Sequence, residues 1–116
     1  MNILSETREF NRKEKYNLYI SGGAKSINDL PEGTELNIAG YAVYESVNSK
    51  GDNVVITSML LSDSTVVRTS SETVRRELDN IVRGLGIDFN VETLTVRTMK
   101  GVSKNGREYN TIEYIC

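Results

Sequence analysis

From Thr34 the pattern of apolar and polar residues becomes clear, and Leu36–Val47 alternates tightly. Leu36–Val47 places Leu36, Ile38, Ala42 and Tyr44 on one face and Ala39, Tyr41, Val43 and Val47 on the other. Both faces are partly apolar, so a long strand with cover on each side is expected. Gly40 sits in its middle, where a glycine marks a bulge or a sharp bend. Ser49–Asn53 reads as a hairpin loop, Asn53–Ser62 as a second strand rich in β-branched residues, and Asp63-Ser64 as a tight turn into a third strand, Thr65–Thr69. The period then changes. Val74, Leu78, Ile81, Val82 and Leu85 form one apolar stripe at helical spacing, with Ser70 or Ser71 as cap, Glu72 in the first turn, and Gly84 and Gly86 at the end. A fourth strand over Val91–Lys100 and a fifth over Arg107–Ile115 follow, joined through Asn105-Gly106, a strong two-residue hairpin signal.

Residues 1–33 follow a different pattern. Glu6–Lys15 alternates charges with Phe10 as its only large apolar residue, and Tyr16–Ser21 reads as a short strand or docking segment before Gly22-Gly23. Ser26–Gly33 is a turn-rich lead-in, because Pro31 disfavours helix before it and Gly33 permits a tight turn. This region is expected to be an arm that packs on the domain through Tyr16, Leu18 and Ile20, with a disordered tail as the other reading of residues 1–14.

The order of strand, strand, strand, helix, strand, strand predicts an all-β domain with one helix. A ferredoxin-like fold would need helices after its first and fourth strands, and a sandwich would need more strands. A five-stranded, partly open OB-type barrel over 34–116, preceded by an arm and lead-in turn over 1–33, fits the order.

Composition narrows the chemistry. The chain has 116 residues, 38% hydrophobic and 7% aromatic, so one domain with a small aliphatic core is expected. No apolar run approaches the roughly 20 residues of a membrane span. Met1–Phe10 lacks the apolar centre of a secretion signal, so a cytoplasmic protein is expected. Histidine is absent and Cys116 is the one cysteine, which removes most metal sites, imidazole acid–base chemistry and nucleophile triads. No cofactor and no small-molecule substrate are expected. Carboxylate-only catalysis, through Glu108 and Glu113 for example, stays open, although no paired acidic motif stands out.

Net charge is −2, which taken alone disfavours a nucleic-acid partner, but the basic residues are unevenly placed. Arg97–Arg107 carries Arg97, Lys100, Lys104 and Arg107 with no acidic residue between them. An OB barrel binds on its second and third strands and the flanking loops. The hairpin is therefore a candidate phosphate contact, with Lys50 in the opposite loop and Arg68 on the third strand. Single strands also need flat faces on which bases stack. With no tryptophan, and no aromatic in the third strand, Tyr44 and Tyr109 are the preferred platforms, and Tyr41 or Tyr114 is assigned to the core. The competing readings are a soluble sheet edge blunted by lysines and tyrosines that serve packing alone. Arg75, Arg76 and Arg83 interleave with Glu72, Glu77 and Asp79 as a solvated helix face.

DLPEGTELNIAGYAVY (29–44), SSETVRRELDNIV (70–82) and GVSKNGREYNTIEY (101–114) occur in this order. With these segments the chain resembles, over residues 26–116, the small single-stranded DNA-binding proteins of phages that infect Gram-positive bacteria. The resemblance implies an OB fold and sequence-tolerant coating of single-stranded DNA during phage or mobile-element replication or recombination. It implicates Tyr44, Lys104, Arg107 and Tyr109, and allows a homo-oligomer and contacts with replication or recombination proteins. The alternative is a protein-binding OB module, such as a phage-encoded inhibitor or an assembly subunit.

Overall fold

The computed structural model describes all residues, Met1–Cys116. In chain order the elements are β1 (Asn2–Glu6), α1 (Arg12–Tyr19), β2 (Lys25–Ser26), a 3-10 turn (Ile27–Asp29), β3 (Glu35–Val47), β4 (Asn53–Leu61), β5 (Val66–Thr69), α2 (Glu72–Leu85), β6 (Leu94–Val102) and β7 (Glu108–Tyr114). They form one curled, half-barrel sheet in the order β2-β5-β4-β3-β6-β7, with β1 beside β3. Every pairing is antiparallel except β2 with β5. The expected succession of strands and helix from β3 to β7 is present. The expectation of one helix is corrected to two. No helix is long and apolar enough to cross a membrane.

Gly40 sets the geometry of β3. The pairing with β4 shifts register between Ile38 and Gly40, so one extra residue enters the strand there. Before the bulge, Leu36 and Ile38 point into the main core; after it, Tyr41 and Val43 do so, and Ala42 and Tyr44 turn to the outer face. The uniform alternation expected from sequence fails at this residue, because a bulge advances the side-chain phase by one. β3 also changes partners at the bend. Glu35–Ile38 pairs with β6, whereas Ala42–Glu45 pairs with β1.

The main core lies between the inner face of the sheet and α2. Ser71 caps that helix by accepting from the Val74 N–H at 3.2 Å, and Gly86 ends it at φ 66°, a left-handed conformation open to glycine. Val74 and Leu78 are fully buried on the predicted stripe, each contributing about 1.5–3 kcal/mol of burial, while Leu85 at its end is exposed. Tyr41 lies in the same core, edge-on to Phe89, and its hydroxyl donates to Asp79 on α2. Burial, reinforced by that carboxylate, pushes the Tyr41 phenol far up from its ordinary value.

The N-terminal region is built into the fold. β1 adds a strand, and the segment 16–21, expected as a short strand or docking segment, belongs to α1 and its end and docks on the sheet through Leu18. Asn11 and Glu14 form a reciprocal capping box, a helix-start signal that outweighs the short apolar run after it. α1 buries Leu18 completely against Ala42, Leu60 and Val66 of the outer face, leaving Tyr16 and Ile20 exposed. The lead-in then crosses the sheet. β2 pairs with β5, Ile27 enters the main core, Asn28 bonds Asn110 on β7, and Gly33 and Thr34 extend the β3–β6 ladder at Thr98.

Two contacts hold the arm at the bend. A Cβ on Gly40 would lie 2.9 Å from the Phe10 ring, so the glycine is required by that close approach. Arg8 lies over the same ring at 4.5 Å, donates from Nε to the Ala39 carbonyl at 2.9 Å, and bonds Glu14 at 2.9 Å. We expect Gly40→Val to destabilise the protein by about 1–3 kcal/mol through strain and displacement of Phe10, read as a lower urea midpoint. An unchanged midpoint would show that the ring is not seated there.

The hydrogen bond from Arg8, opposed by some desolvation, holds the Glu14 carboxyl below its ordinary value of 4.5. A folded pKa below the unfolded one stabilises fully above the ordinary value, and the benefit is lost as pH falls through the lowered one. Glu14→Gln is therefore expected to cost stability near about pH 7 and progressively less as the medium approaches about pH 3. A gap between variant and parent that stays constant with pH in urea titrations would refute this.

Candidate nucleic-acid interface

The β6–β7 hairpin carries most of the basic residues singled out in the sequence. Its strands pair in unbroken register from Val96 with Tyr114 to Val102 with Glu108. Gly106 turns the tip at φ 77°, with its N–H on the Ser103 carbonyl at 2.9 Å and the Ser103 N–H on the Arg107 carbonyl at 2.8 Å. Lys104 and Arg107 stand exposed at this tip, and neither forms an ion pair. Lys100 is exposed too. Glu32, which could neutralise it, accepts instead from the Lys100 backbone N–H at 2.8 Å. Arg97 differs, because its guanidinium bonds Glu113 directly across the pair. The basic run therefore presents three free cations, and its fourth is paired.

Tyr109 completes the hairpin surface. It pairs with Gly101, and a Cβ at Gly101 would overlap the Tyr109 ring. The glycine thus lets the ring lie down across the neighbouring strand, a pairing that compensates for a missing side chain. The residue keeps 42% of its surface exposed. Lys100, Glu108, Tyr109, Asn110 and Asn28 line a polar hollow of about 360 Å³ at the base of the hairpin. Asn28 and Asn110 had no distinguishing sequence signal; the crossing of the lead-in brings them together.

The other preferred residues take structural places. Tyr44 is only 5% exposed, so the expectation that it offers an open stacking face is corrected. The bulge at Gly40 turns it outward, and the arm then covers it, with the Tyr19 ring edge-on at 5.2 Å. Burial raises the Tyr44 phenol above its ordinary value, with Arg68 pulling weakly the other way. Tyr19 is raised as well, by burial and by donating to Glu6 at 2.6 Å.

Arg68, expected as a phosphate contact, is held by the arm and keeps one Nη without a partner. Its Nε donates to the Leu18 carbonyl at 3.1 Å and one Nη to the Asn17 carbonyl at 3.0 Å. The cation thereby satisfies two carbonyls at the C-terminal end of α1, where the helix dipole favours positive charge. Ser58 on β4 donates to the same Leu18 carbonyl at 2.8 Å. Lys50 is exposed at the β3–β4 turn, where Asn48 accepts from the Lys50 and Asp52 backbone N–H groups. Register places this turn and the β6–β7 tip beyond opposite ends of β3. Tyr41 is core as expected, whereas Tyr114 is 49% exposed.

Comparison with known proteins finds no matching family model, curated protein or solved structure. The functional reading rests on the geometry. Much of the outer face of β3, β4 and β5 lies beneath α1, whereas the tip of the β6–β7 hairpin is an exposed basic surface.

The hold of Arg68 on α1 is testable. Arg68→Ala leaves both carbonyls without this donor and is expected to cost about 1–3 kcal/mol. The loss should concentrate in α1, seen as faster amide hydrogen exchange over Lys15–Ile20 while α2 keeps its protection. Equal acceleration in both helices would contradict a local anchoring role.

Proposed function

We propose that the chain is a single-stranded DNA-binding protein on an OB-type barrel, acting in phage or mobile-element replication or recombination inside the host cytoplasm. The strand order from β3 to β7, with α2 after the third of these strands, supports the barrel assignment. One observation carries the function: a single hairpin presents three unpaired cations together with an exposed tyrosine whose ring lies across the neighbouring strand. Lys100, Lys104 and Arg107 meet phosphates, and Tyr109 stacks on a base. This pairing of charge and a flat ring is what sequence-tolerant single-strand binding requires. An acidic total charge is compatible with it, because the local field at the hairpin governs the encounter.

A second reading has its own support. Met1, Ile3, Tyr16 and Ile20 are all substantially exposed and border an apolar hollow of about 490 Å³ between β1 and α1. A surface of this kind suits a protein partner and favours a protein-binding barrel module.

Titration with oligo-dT at low and moderate salt, followed by tyrosine fluorescence, separates the two. Quenching that weakens as salt rises is expected of the single-strand binder. Tyr109→Ala should weaken binding by about 1–3 kcal/mol with the salt slope retained. Lys104→Ala should lower the slope by about 1 in log–log form. Absence of binding at low salt would sink the proposal and leave the protein-partner reading.

A further inference from the structure

The outer face has one opening. The last pair between β4 and β5 is Thr57 with Thr69, yet β4 starts at Asn53. Beyond that pair the chain leaves the sheet at Ser70 and enters α2. Ile56 and its β3 partner Tyr44 therefore have no β5 residue flanking them. The arm forms the other wall, since β2 runs alongside β5 with Ser26 opposite Arg68. A hollow of about 370 Å³ remains, within the ~300–1,000 Å³ of ordinary ligand sites.

Its lining has one sign of charge. Lys25 and Arg68 line it and no carboxylate does, although the Lys25 charge is also felt by Asp63 at the β4–β5 turn. Lys25 is exposed and forms no ion pair. Arg68 is fixed by the two α1 carbonyls, which leaves its second Nη without an internal partner. A guanidinium already held in place loses little freedom when it binds an anion. The hydroxyls of Ser46 and Ser70 also line the hollow, and neither has an internal hydrogen-bond partner. Ile56 and Tyr44 supply an apolar floor beside these polar groups.

We propose that this hollow is a subsite for one nucleoside phosphate unit. Lys25, the free Nη of Arg68 and the Ser70 hydroxyl hold the phosphate oxygens, and the sugar or base lies over Ile56. The proposal rests on the single-strand reading and gives the strand a second point of attachment, separate from the β6–β7 hairpin. The site needs both regions of the chain, because Lys25 comes from the arm and Arg68, Ser70 and Ile56 from the barrel strands and their ends.

The test is an amide chemical-shift titration of the full chain with dTMP, with thymidine and inorganic phosphate as separate arms, beside the oligo-dT titration. With dTMP, saturable shifts are expected at Lys25, Ser26, Ile56 and Ser70. Thymidine, lacking the phosphate, should bind at least about tenfold more weakly. Lys25→Ala should weaken dTMP about tenfold, and Lys13→Ala on the exposed part of α1 should leave it unchanged. If dTMP moves none of these amides while oligo-dT still binds, the subsite is overturned and the single-strand reading stands. Inorganic phosphate that matches dTMP in strength and shift pattern also overturns it, since the floor would then contribute nothing. If dTMP binds in the hollow and oligo-dT does not bind the protein, the subsite stands and the single-strand reading falls.

Discussion

The contact of Phe10 with the backbone at Gly40 organises the molecule. A side chain at residue 40 would collide with the ring, and the bulge there is what turns β3 from one partner strand to the other. Arg8 secures the junction three ways: over the ring, to the Ala39 carbonyl, and to Glu14 in the first turn of α1. These contacts couple backbone geometry to side-chain phase. With the extra residue in β3, Tyr41 faces α2 and Tyr44 faces outward beneath the arm. Both apolar cores therefore depend on one irregular position.

The arm in turn decides which surfaces can bind. α1 lies on the outer face of β3, β4 and β5, and its C-terminal carbonyls take up donors from Arg68 and Ser58. In the OB-type barrel we propose, that is the face that would ordinarily meet an oligonucleotide. Here Lys100, Lys104 and Arg107 stay open on the β6–β7 hairpin, and the outer face retains the hollow bounded by Lys25 and Ser70. The proposed binding surface is thus in two parts because the N-terminal residues divide it.

Much of this was legible beforehand. The β-branched run of β4, the apolar stripe of α2, its Ser71 cap and Gly86 stop, and the Asn105-Gly106 turn are local signals, and local sterics and hydrogen bonding enforce them. The capping box Asn11–Glu14 was equally legible, but the alternating charges around it masked the helix that it starts. Lys104, Arg107 and Tyr109 could be found because their hairpin is contiguous in sequence. Tyr44 and Arg68, expected as open surface groups, take partners that the sequence does not show, for the opposite reason. Whether a tyrosine on a strand is open or covered depends on what packs over it, and its cover, Tyr19, lies 25 residues away, a separation read directly from the numbering.

By itself, then, the sequence determined the elements from Glu35 onward, the absence of histidine chemistry and the concentration of positive charge in one hairpin, since each depends on neighbours in the chain. Only the tertiary structure decided that Arg97 is neutralised by Glu113, that Arg68 serves α1, and that Lys25 shares a hollow with Ser70. Those outcomes depend on strand register and on the path of the arm. At Gly40 the dependence is plainest, because a one-residue shift there exchanges the buried and exposed faces of β3.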